Sequence, residues 1–275
     1  MVTLTSRNNP KIKQIRQLLG QRKERDASGL FVVEGIRHVG EACSARASVQ
    51  YIYYAPELLS SDFAHQLIRE QAELGIPCFA VEKSVFSTIA GKENPQGILA
   101  IVRKPHILLD SLSVDNFPWG VVLVAPQDPG NIGGILRTID AVGASGLLLV
   151  DDPANNQFSA DPYHPNSIRA SMGSIFWYPT ISTSFTNFVQ WAHRNGYHIY
   201  GTSAHARVDY GSIRKYKFPM ILMMGSEREG LTAEQSAACE VILRMPMKGR
   251  VTSLNLAVAT GVMLYSILNN KVDIG

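Results

Sequence analysis

The chain of 275 residues lacks several features that mark large classes of proteins. No apolar run approaches the roughly 20 residues that a membrane-spanning helix requires, so no transmembrane segment is expected. The first residues, Met1 to Arg7, lack the apolar stretch of a secretory signal peptide. The three cysteines, Cys43, Cys78 and Cys239, are scattered, which is typical of reduced thiols rather than of a disulfide framework. We therefore expect a soluble, cytoplasmic protein.

Common nucleotide-binding and catalytic fingerprints are also missing. The chain contains neither G-x-G-x-x-G nor G-x-x-x-x-G-K-[ST], so the standard dinucleotide and nucleoside-triphosphate sites are not expected. It contains no G-x-S-x-G, no H-E-x-x-H and no C-x-x-C. The seven histidines show no ligand spacing, and Cys239 has no evident base nearby in the sequence. We therefore expect no metal site and no cysteine nucleophile.

The composition that is present favours packed domains with a basic start. Apolar residues make up 45% and charged residues 18% of the chain, which supports folded cores rather than disorder. The net charge is only +3, but the first 25 residues hold seven basic side chains and one acidic side chain. This basic segment predicts a polyanionic partner, although a solvated helix face would carry the same charges.

Strands alternate with helices in two parts of the chain. Residues 30–33 are one of several short β-type runs in the first part, and residues 62–74 are one of its helical segments. A polar, proline-containing stretch at 106–118 predicts a linker. We therefore expect an α/β protein with a small domain at 1–105 and a second, doubly wound domain at 119–275.

The second domain predicts a site at its strand ends. Its apolar runs, which predict buried parallel strands, are residues 121–125, 146–150, 197–201, 220–224 and 241–243, with a further strand suggested at 176–178. Ligands of doubly wound sheets bind beyond the carboxyl ends of the strands. The loops that follow these runs are therefore the places where functional residues are expected.

The first such loop, residues 128–138, joins a strand to a helix predicted at 135–142. A glycine-rich turn that leads into a helix is typical of anion or nucleotide binding at the helix start. Arg137 then falls in the first turns of the helix, where a cation opposes the helix dipole. Such a placement favours a functional role for Arg137, while an arginine paired on the surface is the alternative.

Two further loops carry polar side chains. Glu227 and Glu229 lie between glycines after a wholly apolar strand, and paired acids can serve acid–base or metal chemistry. No third ligand has the spacing to complete a metal site. In the third loop Ser253 predicts the N-cap of a helix at 253–268, whereas Asn255 has no evident structural reason to lie in its first turn.

Together the three loops resemble motifs 1, 2 and 3 of the SpoU/TrmH family of SPOUT RNA ribose 2′-O-methyltransferases. The matching runs are Asn131-x-Gly133-x-x-x-Arg137-Thr138, Gly225-x-Glu227-x-x-Gly230-Leu231, and Met245-Pro246-Met247-x-Gly249 followed by Ser253-Leu254-Asn255. Each run alone is weak, but all three in this order are specific. The first domain, with Phe31-Val32-Val33-Glu34-Gly35, is similar to the L30e-like substrate-binding domain of many members.

The resemblance implies a fold, a cofactor and a set of roles. It implies a SPOUT α/β domain with a parallel sheet and a C-terminal trefoil knot, a homodimer formed through this domain, and S-adenosylmethionine (AdoMet) as cofactor. The cofactor-binding residues that it implies are Thr202, Gly225, Met245 and Leu254. The catalytic residue that it implies at the ribose 2′-hydroxyl is Arg137, with Asn131, Glu227, Ser253 and Asn255 ordering Arg137 and the substrate.

Elementary chemistry refines the role of Arg137. Methyl transfer from a sulfonium is an in-line displacement, to which positioning of the hydroxyl can contribute roughly 7–11 kcal/mol. Because arginine keeps its proton, we expect Arg137 to stabilise the forming alkoxide rather than to act as a base. This requires the Arg137 guanidinium and the backbone around Gly225 and Met245 to share one cleft. The chain departs from the family pattern at Asp140, where small apolar residues are common.

RNA is the expected substrate, with rRNA favoured over tRNA because a separate recognition domain is present. The expected RNA contacts are Arg7, Lys11 and Arg22 in the basic segment, and Arg169, whose surroundings resemble a patch on the family's RNA side. The main alternative is a non-catalytic RNA- or ribosome-binding protein that retains the fold, but all five candidate catalytic residues are present. A phosphate-loop enzyme acting on a small molecule would leave the basic segment unexplained.

Overall fold

A computed structural model describes residues 3–91 and 94–270 of the chain. The predicted domain limits at residues 1 and 275 lie outside the described residues. The chain divides into two compact units, of which the first comprises Met1–His106 with Asp161–Trp177 and the second Ile107–Ala160 with Tyr178–Gly275. Within the described ranges, no helix is both long and apolar enough to cross a membrane.

Ten α-helices and eleven strands are found in the described part of the chain. The helices are α1 (Pro10–Gly20), α2 (Arg22–Ser28), α3 (Ile36–Ser44), α4 (Asp62–Glu73), α5 (Lys83–Phe86), α6 (Pro129–Val142), α7 (Pro165–Ala170), α8 (Phe185–Arg194), α9 (Ala233–Ala237) and α10 (Leu256–Asn269). The strands are β1 (Leu30–Glu34), β2 (Val49–Tyr54), β3 (Cys78–Ala80), β4 (Ile98–Arg103), β5 (Trp119–Val124), β6 (Gly146–Asp151), β7 (Thr180–Ser184), β8 (His198–Thr202), β9 (Val208–Asp209), β10 (Met220–Met224) and β11 (Val241–Arg244).

The first unit is built on a mixed four-stranded sheet. Its strand order is β1-β4-β2-β3, with β4 antiparallel to both β1 and β2, and β3 parallel to β2. The basic segment forms helices α1 and α2 and is part of this unit's core, because Ile12, Ile15 and Leu18 are buried against the sheet. Residues 10–25 are therefore an integral part of the fold and not a detachable arm.

A segment from the middle of the chain completes the first unit. Arg25 of α2 is buried, and its Nε donates to Asp161 Oδ2 at 2.6 Å while its Nη1 donates to the Leu18 carbonyl at 2.6 Å. The ring of Phe31 lies 4.8 Å from that of Tyr163. This segment, residues 161–177, is a contribution to the first unit that the sequence did not reveal, since it lies between strands of the second unit.

The second unit contains a seven-stranded, wholly parallel sheet, which confirms the predicted parallel α/β domain. The strand order is β7-β6-β5-β10-β8-β11-β9, and each neighbouring pair is parallel. The strand suggested at 176–178 is wrong: Ser174–Phe176 forms a 3-10 turn, and the edge strand is the polar β7 instead. The trefoil knot that the resemblance implies stays a prediction.

The stretch predicted as a linker packs against the second unit. Leu112 is buried in its main core, and Ile107 and Leu109 pack against the same cluster, with a 3-10 turn at Leu109–Ser111. The first of the two segments that form the first unit ends at His106. Phe117 is buried in the same core, so the polar segment 106–118 contains four apolar residues that pack against the second unit.

Helix α6 begins earlier than predicted, and helix α10 begins later than predicted. Helix α6 begins at Pro129 with Asp128 as N-cap, so Arg137 lies in the third turn, and the helix-dipole argument for it does not apply. Helix α10 begins at Leu256, and its N-cap is Asn255, whose Oδ1 accepts from two backbone N–H groups. The prediction that Ser253 caps this helix is wrong, and Asn255 has a clear structural reason to be there.

Helices α6 and α10 pack closely through small residues. A Cβ placed on Gly134 would lie 3.6 Å from that of Ala257, and one on Gly261 would lie 3.9 Å from the methyl carbon of Thr138. Helix α10 also carries apolar side chains on its outward face. Val258, Tyr265 and Leu268 are 53%, 49% and 38% exposed, so α10 is apolar on two faces and covered on only one.

Candidate active site

A cavity of about 670 Å³ opens at the carboxyl ends of the central strands of the second unit. Its walls are the segments that follow β8, β10 and β11, and the turn that leads into α10. The volume lies in the range of small-molecule sites, about 300–1,000 Å³. Parallel sheets place ligands at this edge, so the cavity lies where the strand pattern predicts it.

The structure brings the four candidate cofactor-binding residues to this cavity. Thr202, Gly225, Met245 and Leu254 all line it. Thr202 is buried, and its hydroxyl donates to the sulfur of Met224 at 3.5 Å. A Cβ on Gly225 would lie 2.2 Å from the carbonyl carbon of Gly230, so only glycine fits between the cavity and the turn behind it.

Three of the five candidate catalytic residues form one hydrogen-bonded network beside the cavity. Asn131, buried in the first turn of α6, donates from Nδ2 to Glu227 Oε1 at 3.0 Å. The other Glu227 oxygen accepts from the backbone N–H of Gln127 at 3.0 Å. Asn255 donates from Nδ2 to Asn131 Oδ1 at 3.0 Å. All three motif loops therefore meet, and the Glu227 carboxylate is held by two donors.

The turn that carries Glu227 is fixed from a second side by residues that sequence reasoning missed. Gln157 donates from Nε2 to Glu229 Oε2 at 3.0 Å. The fully buried Gln235 donates from Nε2 to Asp152 Oδ2 at 2.7 Å and to Gln157 Oε1 at 3.3 Å. The burial of such polar side chains requires partners. No local pattern pointed to them, because Gln157 and Gln235 are far apart in the chain.

The remaining two candidate catalytic residues are not among the partners in this hydrogen-bonded network. Ser253 is exposed and lines the cavity. Arg137 is exposed on α6 and is not among the residues that line the cavity. We expected the Arg137 guanidinium to lie in the cleft formed around Gly225 and Met245, but within one chain the structure does not place it there. Asp140, one turn further along, accepts a hydrogen bond from the Tyr178 hydroxyl at 3.0 Å.

The four candidate RNA-binding residues lie in the first unit, and their side chains differ in exposure and in the groups that they contact. Lys11 places its Nζ 4.4 Å from the ring centre of Phe79 and 4.9 Å from that of Tyr51. Arg22 pairs with Asp26 on the surface. The third, Arg7, is exposed, and the fourth, Arg169 on α7, donates from Nη2 to Asn166 Oδ1 at 3.0 Å. Lys11 is thus held in an aromatic cage, whereas Arg7 projects into solvent.

Other chemistry is not supported near the cavity. Burial raises the pKa of the Cys239 thiol to about 12, so it is not a thiolate at neutral pH. Its sulfur packs against β8, where a Cβ on Gly201 would lie 2.5 Å from it. Among the described residues, no group of three or more His, Cys, Asp or Glu side chains is arranged to hold a metal ion.

The parallel sheet with a cavity at its strand ends places the protein in the class of α/β proteins that bind a ligand at this edge of the sheet. Comparison with known sequences gives the family. Residues 118–265 match the sequence model of the SpoU rRNA Methylase family, and residues 9–100 match that of the MRM3-like substrate binding domain. The chain belongs to the SpoU rRNA methylase family. The family resemblance inferred from the three loops is thereby confirmed.

Relatives match over almost the whole chain. The 23S rRNA (uridine(2479)-2′-O)-methyltransferase of Streptomyces viridochromogenes is 30% identical, with 98% of this chain and 93% of the relative covered. The 23S rRNA (guanosine(2553)-2′-O)-methyltransferase RlmP of Bacillus subtilis is 29% identical, with 97% and 99% covered. The AdoMet-bound rRNA methyltransferase from Sinorhizobium meliloti superposes with a TM-score of 0.86 at 33% identity, with 98% and 97% covered.

Proposed function

We propose that the protein transfers a methyl group from AdoMet to a ribose 2′-hydroxyl of rRNA. The observation that carries this proposal is the convergence of the three motif loops beside one cavity, joined by the hydrogen bonds among Asn131, Glu227 and Asn255. Relatives named as 23S rRNA 2′-O-methyltransferases support rRNA as the substrate class. An rRNA substrate also favours the cytoplasmic location expected from the scattered, free cysteines.

The residues present fit AdoMet as the cofactor. The cavity combines apolar walls, including Leu231, Leu243 and Leu254, with backbone polar groups of the turn at 225–230. Apolar walls suit a purine ring, and backbone groups suit the polar ends of such a ligand. The close fit of Gly225 against Gly230 leaves this wall without a side chain, so a ligand can approach the backbone directly. When bound, AdoMet supplies the electrophilic methyl group of a sulfonium.

The chain's own residues supply orientation and charge. Glu227, which accepts from Asn131 and the Gln127 N–H, is held in one rotamer and can order a donor on the substrate. Asn255 fixes the Asn131 amide in turn. Arg137 is assigned to stabilise the negative charge that develops on the 2′-oxygen, because its guanidinium is a cationic donor.

A homodimer would account for the position of Arg137 outside the cavity of its own chain. The outward face of α10 exposes Val258, Tyr265 and Leu268 next to the α6 packing seam, and contiguous apolar surface of this kind is typical of a protein interface. A second copy seated on this face would lie close to the exposed Arg137. We therefore propose that the protein forms a homodimer through this unit, and that Arg137 acts at the cavity of the partner chain.

The test is methylation of rRNA fragments with radiolabelled AdoMet. The wild-type protein is expected to incorporate label, while Arg137→Ala lowers the rate by roughly 10²–10³-fold, as for loss of one donor to a developing oxyanion. Arg137→Ala should still bind AdoMet in calorimetry, since Arg137 does not line the cavity. Incorporation that is unaffected by Arg137→Ala would refute the assignment of the residue. RNA binding without AdoMet binding would instead identify a non-catalytic member of the fold.

The dimer has a separate test. A mixture of Arg137→Ala with Gly225→Val, each inactive alone, should regain activity when chains exchange, because one cavity and one arginine remain intact in the mixed dimer. Sedimentation should give twice the chain mass of 30.2 kDa. A monomer with full activity would contradict both the dimer and the action of Arg137 on a partner.

A further inference from the structure

The first unit carries a cleft on the outward face of α3 that nothing above explains. Its volume is about 420 Å³, and it is lined by Ile36, Arg37, Gly40, Glu41, Ser44, Phe63 and Gln96. Residues 37, 40, 41 and 44 are spaced by three and four positions, so they share one face of the helix. Gly40 and Ser44 are small, which leaves room above the helix.

One exposed aromatic ring lines this cleft, and a second is hydrogen-bonded to one of the lining residues. Phe63 of α4 is 56% exposed, and its ring rests on α3, where a Cβ on Gly40 would lie only 3.2 Å from it. Trp177 is 53% exposed, and its indole N–H donates to Glu41 Oε2 at 3.0 Å. Each ring is therefore fixed against α3 while much of its surface faces solvent. Because exposed aromatic surface is unfavourable in water, two such rings at one cleft point to a ligand.

The polar groups at the cleft are also placed to form hydrogen bonds with a bound ligand. Gln96 accepts from the Ile36 N–H through its Oε1 at 3.0 Å, which fixes its amide and leaves its Nε2 donors without a protein partner in the described part of the chain. Arg37 is exposed at the start of α3. Among the described residues, Glu41 is the one acidic side chain that lines the cleft. Its carboxylate accepts from the Trp177 indole N–H, so the cleft favours an uncharged group over a phosphate.

We propose that this cleft binds an unpaired nucleobase of the RNA substrate. Phe63 and Trp177 together supply the stacking surface for the base. Its polar edge meets the Gln96 amide, and a neighbouring phosphate meets Arg37. Aromatic planes that stack on splayed-out bases, together with side-chain amides that read base edges, are the means by which proteins recognise single-stranded RNA. An apolar peptide would leave Arg37, Gln96 and Ser44 without partners. The proposal rests on the proposed function, since it specifies how that RNA is selected.

The three tryptophans allow a direct test with the full-length protein. Trp119 and Trp191 are 1% exposed, so iodide quenches mainly Trp177. The probe is a 12-nucleotide RNA of mixed sequence without self-complementarity, used alone and annealed to its complement. The single strand is expected to protect Trp177 from iodide at saturation, and the duplex to protect it much less. Equal protection by the duplex, or full quenching in the presence of bound RNA, would overturn the proposal.

Substitutions test the same cleft by affinity. Phe63→Ala and Trp177→Ala should each weaken binding of the single-stranded probe by roughly 5- to 150-fold, the loss typical of one stacked base. Phe63→Tyr should bind as the wild type does. The matched control is Leu74→Ala, which removes an apolar side chain that is 75% exposed on the same unit but away from the cleft. Unchanged affinity in both alanine variants would contradict the proposal.

Further measurements distinguish base binding at the cleft from unfolding of the variants, from a protein interface and from failure of the proposed function. Circular dichroism and the urea midpoint show whether each variant is folded, and AdoMet binding shows whether the second unit is intact. Protection of Trp177 that rises with protein concentration in the absence of RNA would identify a protein interface instead. If the wild type transfers no methyl group to any rRNA fragment, the proposed function fails. If Phe63→Ala transfers methyl groups with an unchanged KM for RNA, only the cleft assignment fails.

Discussion

The side chain of Asn255 joins the starts of two helices. Its Oδ1 accepts from the backbone N–H groups of Ala257 at 2.9 Å and Val258 at 3.3 Å, which caps α10. Its Nδ2 donates to Asn131 Oδ1 at 3.0 Å in the first turn of α6. One amide therefore satisfies orphan donors of one helix and orients the Asn131 side chain that holds Glu227. The stability of α10 and the order of the candidate site depend on the same residue.

Substitutions at Asn255 should separate these two effects. Asn255→Ala removes both the cap and the donor, and should lower the free energy of unfolding by about 1 kcal/mol. Asn255→Asp keeps an oxygen for the cap but loses the donor to Asn131, so stability should stay near that of the wild type while methyl transfer falls. Chemical denaturation and single-turnover methylation measure the two quantities. Equal activity of Asn255→Asp and the wild type would show that the Asn131 contact is dispensable.

Gln157 should act on AdoMet binding rather than on the chemical step. Gln157→Ala removes the hydrogen bond to Glu229 and one partner of the buried Gln235, which frees one side of the turn that lines the cavity. Loss of one such bond is worth about 1–1.5 kcal/mol, so the KM for AdoMet should rise roughly 5- to 10-fold with little change in kcat.

A matched control is Gln50→Ala, because among the described residues the Gln50 amide bonds only to Ser48 in the first unit. It should leave both kinetic parameters unchanged. A fall in kcat at unchanged KM for Gln157→Ala would show that the network orders the reacting groups directly. The thermal midpoint of each variant distinguishes this from unfolding of the sheet edge.

The sequence predicted the sheet and the three loops well, for a physical reason. Strands such as β5 and β10 are apolar throughout, because both faces of the sheet are covered by helices. The motif loops could be located because each one comes directly after such a strand or leads into the helix behind it. The polar β7 escaped prediction because an edge strand with the sequence Thr-Ile-Ser-Thr-Ser carries no continuous apolar run. Pattern alone assigned 176–178 to the strand because those residues are aromatic.

Other features depend on contacts that no local pattern encodes. The pairing of Arg25 with Asp161 joins residues that are 136 positions apart, and it places residues 161–177 in the first unit. The cap at Asn255 was missed because Ser253 precedes it by two positions and is an equally good capping residue. Which serine or asparagine begins the helix is decided by the contact with Asn131, which lies in another loop.

The cysteines should be slow to react with alkylating reagents, in a way that depends on pH. Burial raises the pKa of Cys43 to about 11 and that of Cys239 to about 12. A raised pKa means less thiolate, so at pH 8 roughly one Cys239 side chain in ten thousand is ionised. Iodoacetamide labelling followed by mass spectrometry should show slow modification that accelerates about tenfold per pH unit up to pH 10. Rapid labelling of Cys239 at pH 7 in the folded protein would contradict this.

Removing Asp161 from its ion pair with Arg25 should destabilise the first unit more than removing the acid of a surface pair. Both side chains are at most 5% exposed, so Asp161→Ala leaves a buried guanidinium without its carboxylate. Breaking such a pair destabilises by about 3–5 kcal/mol. The control is Asp26→Ala, because Asp26 pairs with Lys104 and Arg22 while 53% exposed, and its loss should change stability by about 1 kcal/mol or less. Urea denaturation followed by circular dichroism measures the stability of both variants.

Replacing Arg25 with Met and Asp161 with Leu in one variant should recover most of the stability, because no charge then remains buried. If Asp161→Ala unfolds at the same urea concentration as Asp26→Ala, residues 161–177 are not anchored to the first unit by this pair.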